Sequence, residues 1–205
     1  MAVGVYPGSF NPVTIAHLEV ASAAVEACGL ERVDLALSED PLGKATDGLA
    51  GLGHRVEVLE AVARRRPWLG VVVTPARLLA DIADGYDVVV LGADKYAQLV
   101  DPDWYGDEAA RDTALARLPT LALAPRPPAP LPASGDHGLA VVVLDVHPGH
   151  HEVSATAVRD GRHDWLPEEV RHLAARSGAW PGLAGDGGDA PDDRAYEPDG
   201  ESGQR

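Results

Sequence analysis

Short, nearly uninterrupted apolar runs alternate along this chain with longer stretches in which apolar residues recur every three or four positions. The runs at 2–6, 32–37, 69–73, 88–91, 120–124 and 139–146 are short and rich in Val, Leu and Ala, the pattern of strands buried on both faces. Between them, 14–28, 54–65, 76–83 and 108–118 repeat apolar residues at helical spacing, and a helix over 167–176 closes the fold. The stripe Ile15, Leu18, Ala21, Val25 and Cys28 marks the first helix, with Thr14 placed as its N-cap and Gly29 as its stop. Strands and helices in alternation call for right-handed crossovers onto parallel strands. The pattern therefore predicts an α/β fold, a Rossmann-like doubly wound parallel sheet in a single domain.

Composition refines this picture. At 205 residues and 45% apolar content, the chain can bury one sizeable core. Its formal charge of −15 argues against a nucleic-acid surface, which needs a basic face to displace counterions, but leaves room for a nucleotide held by a few placed cations. Part of the imbalance is local, because 181–205 carries seven acids, two arginines and many glycines. That composition predicts a folded domain over 1–178 and an acidic, disordered tail over 179–205. No basic segment leads into an apolar run and cleavage site, and no apolar stretch is long enough to span a bilayer, so the expectation is a cytoplasmic protein without a membrane partner. Homo-oligomerisation is left open. Cys28 is the sole cysteine, which excludes an intrachain disulfide, and its helical position makes it a packing residue.

Chemistry concentrates where strands end. In VGVYPGSFNPVTIAH the first strand breaks into a Gly/Pro/Asn loop, and His17 follows in the first turn of the next helix. Main-chain N–H groups, a helix N-terminus and an imidazole thus surround one point, as a polyphosphate requires. Gly92-Ala93-Asp94-Lys95 reads as a polar turn at the end of another buried strand. In SATAVR, Ser154 and Thr156 can cap a helix or bond an anion, and Arg159 lies one turn further in. The basic run Arg64-Arg65-Arg66 suits a helix C-terminus. His147, His150 and His151 read as solvent-facing loop residues, since no carboxylate or thiol cluster accompanies them.

GSFNPVTIAH resembles the first signature of the nucleotidyltransferase superfamily, which ends in H/T-x-G-H, and is most similar to its form in nicotinamide and nicotinate mononucleotide adenylyltransferases. SATAVR resembles the second signature, and Lys44, Gly48-Leu49, His54-Arg55, Gly92-Ala93-Asp94, Pro102 to Trp104 and Arg126 resemble elements that lie between the two. Ala16 stands where the signature has Gly, Ala155 where it commonly has Ser, and Thr74-Pro75-Ala76 lacks an aromatic that encloses the pyridine ring in that group.

The resemblance implies transfer of AMP from ATP, bound with Mg²⁺, to a small phosphorylated acceptor, nicotinate or nicotinamide mononucleotide, with release of pyrophosphate. It assigns His17, Lys44 and Arg159 to catalysis. It also implies that N–H groups around Gly8, Ser9 and Phe10 cradle phosphates, that Thr14, Ser154 and Thr156 assist, and that Asp94, following Gly92, accepts from the adenosine ribose. Arg55, Trp104 and Arg126 complete the substrate-binding set, Trp104 offering a ring face. Three alternatives stand beside this reading: a phosphopantetheine adenylyltransferase, a cytidylyltransferase, and a nucleotide-binding module without catalysis.

Overall fold

The computed structural model describes residues 1–40 and 50–180. Its six strands are β1 (Val3–Pro7), β2 (Arg32–Ser38), β3 (Leu69–Thr74), β4 (Val88–Gly92), β5 (Thr120–Ala124) and β6 (Val141–Val143). All pair in parallel, in the order β3-β2-β1-β4-β5-β6. The chain winds one way from β1 to β3 and the other way from β4 to β6, so a crevice opens beyond the carboxyl ends of β1 and β4.

Among the described residues, five α-helices connect the strands, α1 (Ile15–Cys28), α2 (Leu52–Ala63), α3 (Leu79–Ile82), α4 (Ala93–Val100) and α5 (Glu108–Leu115), and two follow β6, α6 (Ala155–Arg159) and α7 (Glu168–Ser177). One core lies between the sheet and α1, α2 and α7, where Leu18, Ala21, Leu35, Leu59 and Val170 meet. The other lies under α4 and α5, around Val5, Leu91, Leu99 and Leu121. None of the described helices is long and apolar enough to cross a membrane. Cys28 packs against the first core, and burial pushes its thiol above the ordinary range.

Thr14 and Gly29 bound α1 as the cap and stop rules predict, Gly29 adopting the left-handed conformation at φ 61°. Three elements differ from the pattern. The segment read as a polar turn at 92–95 is the end of β4 running straight into α4. Ala93, Tyr96 and Leu99 bury one face of that helix, while Asp94 and Lys95 occupy the polar side of its first turn. The strand predicted over 139–146 keeps only Val141–Val143. Leu144 N–H still bonds the Leu123 carbonyl at 2.9 Å, and the chain then leaves the ladder toward Pro148. The helix predicted over 76–83 begins only at Leu79, because Leu78 before it is extended, at φ −81° and ψ 141°.

Arg66 donates to the Val62 carbonyl at the end of α2 and pairs with Glu169 of α7, which joins the two helices. The basic run is thus a helix end, as predicted. Burial alone would raise the Glu169 carboxyl, but the Arg66 hydrogen bond, a backbone hydrogen bond and the charges of Arg66 and Arg65 together outweigh it and hold the group below the ordinary carboxylate range.

Candidate active site

The loop from Gly8 to Val13 is held from several directions. Gly8 N–H extends the sheet by bonding the Ala36 carbonyl at 3.0 Å. Phe10 takes φ 42° and turns its buried ring edge-on to Tyr6 and His17, with centroids 5.6 and 5.2 Å away. A side chain at position 8 would collide with that ring, since its Cβ would stand 2.7 Å from Phe10 Cζ. Asn11, 3% exposed, accepts on Oδ1 from Ala50 N–H at 3.0 Å and from the Trp180 indole N–H at 2.6 Å. Arg55 donates through Nε to the Ala50 carbonyl and through Nη1 to the Ser9 carbonyl, both at 3.0 Å. The loop's shape is therefore set from beneath before any ligand arrives.

His17 is held with equal definition. Thr14 N–H donates to His17 Nδ1 at 3.0 Å, and Thr14 Oγ1 lies 2.8 Å from the same nitrogen. A backbone N–H can only donate, so Nδ1 is an acceptor and the neutral ring carries its proton on Nε2. Thr14 itself is fully buried. Its place as helix cap thus also selects the imidazole tautomer.

These groups line a cavity of about 480 Å³ at the crevice. Gly8, Ser9, Phe10, Thr14 and His17 form its first wall. Gly92, Asp94 and Lys95 enter from β4 and α4, and Arg126 from the end of β5. Ser154, Thr156 and Arg159 close it from α6. Ser154 Oγ accepts from Ala157 N–H at 3.1 Å, as an N-cap does. Arg159 donates through Nη2 to Thr156 Oγ1 at 3.0 Å and through Nη1 to the Asn11 carbonyl, so the two distant signatures are in direct contact. Tyr6 lies beneath; burial raises its phenol far above the ordinary value against the pull of Arg126, with Asp94 adding to the rise.

A second cavity of about 200 Å³ adjoins the first. Its surface is largely apolar, supplied by Leu78, Leu79, Ile82, Leu99, Trp104 and Tyr105, with Arg55 and Arg77 also in its wall. Such a neighbour suits a flat ring beside a phosphate site. A family model described as cytidylyltransferase-like matches residues 5–161, a span that takes in both signatures and both cavities. The chain belongs to this family.

Relatives agree with that placement. Over 208 aligned residues this nucleotidyltransferase is 29% identical to the probable nicotinate-nucleotide adenylyltransferase of Gloeobacter violaceus, covering 89% of this chain and 98% of that one. It is 32% identical over 144 residues to the probable nicotinate-nucleotide adenylyltransferase of Bordetella petrii, covering 65% of this chain and 70% of the relative. Among solved structures, the Plasmodium falciparum nicotinic acid mononucleotide adenylyltransferase complexed with NaAD superposes with a TM-score of 0.64. That match covers 88% of this chain and 97% of the other at 11% identity, a likeness of fold.

The nucleotidyltransferase departs from the sequence expectations at several residues. Lys44, Gly48 and Leu49 lie outside the described residues. Arg55, expected on substrate, is 5% exposed and engages two main-chain carbonyls, so it braces the loop that carries Ser9 while bordering the second cavity. His150 and His151 are not solvent-facing. Both are half-buried and line the larger cavity, and only His147 is exposed, its Nδ1 accepting from Gly149 N–H. Trp180, beyond the domain boundary drawn at 178, is 1% exposed in the core. Asn11, Lys95, Arg77 and Tyr105 were given no role by the sequence. The helical spacing of Ala93, Tyr96 and Leu99 was the available signal for Lys95, and the first signature contains Asn11; nothing local marked Arg77.

Proposed function

We propose that this nucleotidyltransferase transfers AMP from ATP to nicotinate mononucleotide and releases pyrophosphate. The observation that carries the reading is the meeting of His17 and Arg159, 142 positions apart in the chain (159 − 17), in one cavity that adjoins an apolar one. The names of the two relatives support the choice of acceptor, and Trp104 in the apolar wall offers a ring to pack on. ATP enters as its Mg²⁺ complex. In this reading the cation is carried by the triphosphate's own oxygens.

The chemistry asks little of the protein beyond placement and charge. An acceptor phosphate oxygen is already ionised near neutral pH, so no general base is needed when it attacks the α-phosphorus. His17 Nε2–H, the N–H groups around Ser9 and Phe10 and the Arg159 guanidinium face charge that grows on the phosphoryl oxygens and leaving pyrophosphate. Asp94 accepts from the adenosine ribose, in keeping with an acid at such a strand end. Lys44 belongs with the pyrophosphate in this reading, on the family resemblance alone.

Pyrophosphate release measured with ATP or CTP against nicotinate mononucleotide, nicotinamide mononucleotide and phosphopantetheine tests it. The expected result is fastest turnover with ATP and nicotinate mononucleotide. Turnover confined to phosphopantetheine or to CTP, or nucleotide binding without turnover, would overturn the proposal.

A further inference from the structure

We infer that Lys95 is a catalytic cation at the joint between the two cavities, where it neutralises charge on the phosphoryl group in transfer. The inference rests on the proposed adenylyl transfer. Five residues line both cavities: Pro7, Gly8, Ser9, Leu91 and Lys95. The first four present main chain, apolar surface or a hydroxyl. Lys95 alone brings a formal charge.

The fold explains why this side chain stands there. β4 ends at Gly92 and α4 starts at Ala93, so the first turn of α4 rises at the crevice beside β1. Ala93, Tyr96 and Leu99 are buried, which fixes the rotation of the helix about its axis. Asp94 then borders the larger cavity only, and Lys95, the next residue, reaches both. Packing of its helix positions Lys95, and its own polar contacts are loose. Nζ lies 3.4 Å from Gln98 Oε1 and 3.9 Å from Asp94 Oδ2, with the side chain 42% exposed. At those separations the ammonium is weakly engaged and can move onto a stronger anion.

The reaction needs a charge at this point. An acceptor phosphate oxygen forms a bond to the α-phosphorus, the bond from that phosphorus to the α–β bridging oxygen breaks, and its electron pair departs with pyrophosphate. No proton need move. Two polyanions must therefore approach across the joint, and their repulsion is greatest where the new bond forms. His17 and Arg159 line only the larger cavity. A compact ammonium on a flexible stem can follow the phosphoryl group from donor to acceptor, whereas the Arg159 guanidinium is tied to Asn11 and Thr156.

Lys95→Met and Lys95→Arg in the full chain test the assignment, assayed for pyrophosphate release from MgATP and nicotinate mononucleotide and for the reverse reaction from dinucleotide and pyrophosphate. Lys95→Met should lower kcat about a hundredfold, the scale of one lost transition-state donor, and the reverse reaction should fall equally. Both KM values should stay within about threefold of the parent, the pattern for a contact made only in the transition state. Lys95→Arg should recover about a tenth of the parent kcat or more, because charge is retained with altered shape. A kcat within threefold of the parent in Lys95→Met, or a loss confined to acceptor KM, overturns the assignment alone. A parent chain inactive with this acceptor overturns the proposed reaction and the assignment together.

Discussion

The two cavities are neighbours built on different principles. In the larger one the walls are wired: Thr14 and Asn11 are 0% and 3% exposed, and each hydrogen-bonds another part of the site. In the smaller one Trp104 is half-buried on a 3-10 turn, and Arg77 pairs with Asp40 at 3.4 Å while both side chains are more than half exposed. The contrast separates two demands on the enzyme. Stabilising a transferring phosphoryl group requires donors that do not reorganise, so that wall is continuous with the core. Holding a particular ring requires a surface of the right shape, and that surface sits on segments that can change without unfolding the sheet.

Breaking the wired side should give the largest effect. His17→Ala is expected to lower kcat by about a hundredfold or more, ~2.7–4 kcal/mol, for loss of one preorganised donor. Steady-state kinetics with saturating ATP checks this, and unchanged turnover would remove the imidazole from the reaction. Trp180→Phe leaves Asn11 with one donor fewer and a small void, at a cost of about 2 kcal/mol in stability. Chemical denaturation should register that cost, with a parallel loss of activity; a variant as stable and active as the parent would mean that Ala50 alone suffices to hold Asn11.

On the looser side, Trp104→Ala should raise the acceptor KM about fivefold, the ~1 kcal/mol of an aromatic pair, and leave the ATP KM unchanged. A shift in the ATP KM instead would place the indole against the wrong substrate. The smallest effect is expected outside both cavities. Because the Glu169 carboxyl is depressed when folded, its pairing with Arg66 stabilises fully above the ordinary value of 4.5 and is lost as pH falls through the lower folded value. Glu169→Gln should therefore cost about 1 kcal/mol at neutral pH and flatten the acid limb of the stability curve. Identical acid limbs in parent and variant would dissociate this pair from acid sensitivity.

What could be read from sequence follows from how far each interaction reaches along the chain. Thr14, Gly29 and His17 were legible because a cap, a stop and a first-turn residue obey rules spanning a few positions. α4 was not, because Asp94 and Lys95 directly after Gly92 look like turn chemistry, and the buried stripe of Ala93, Tyr96 and Leu99 is only two turns long. Arg55 lies in the expected neighbourhood, where it clamps two carbonyls while bordering the second cavity. A guanidinium that clamps carbonyls and one that grips phosphate have the same residue type at the same distance from the motif, and only geometry tells them apart. His150 and His151 follow the same lesson, since the lack of a companion carboxylate or thiol cluster suggested solvent while the chain folds them against the cavity. The Trp180 bond to Asn11 spans 169 positions and leaves no local trace.

That long-range bond imposes an order on biosynthesis. Asn11 emerges from the ribosome early and Trp180 emerges late, so the loop first made is among the last to acquire its final support. A nascent chain carries the Gly8 to Val13 loop without the indole that steadies it until the segment with Trp180 has been made.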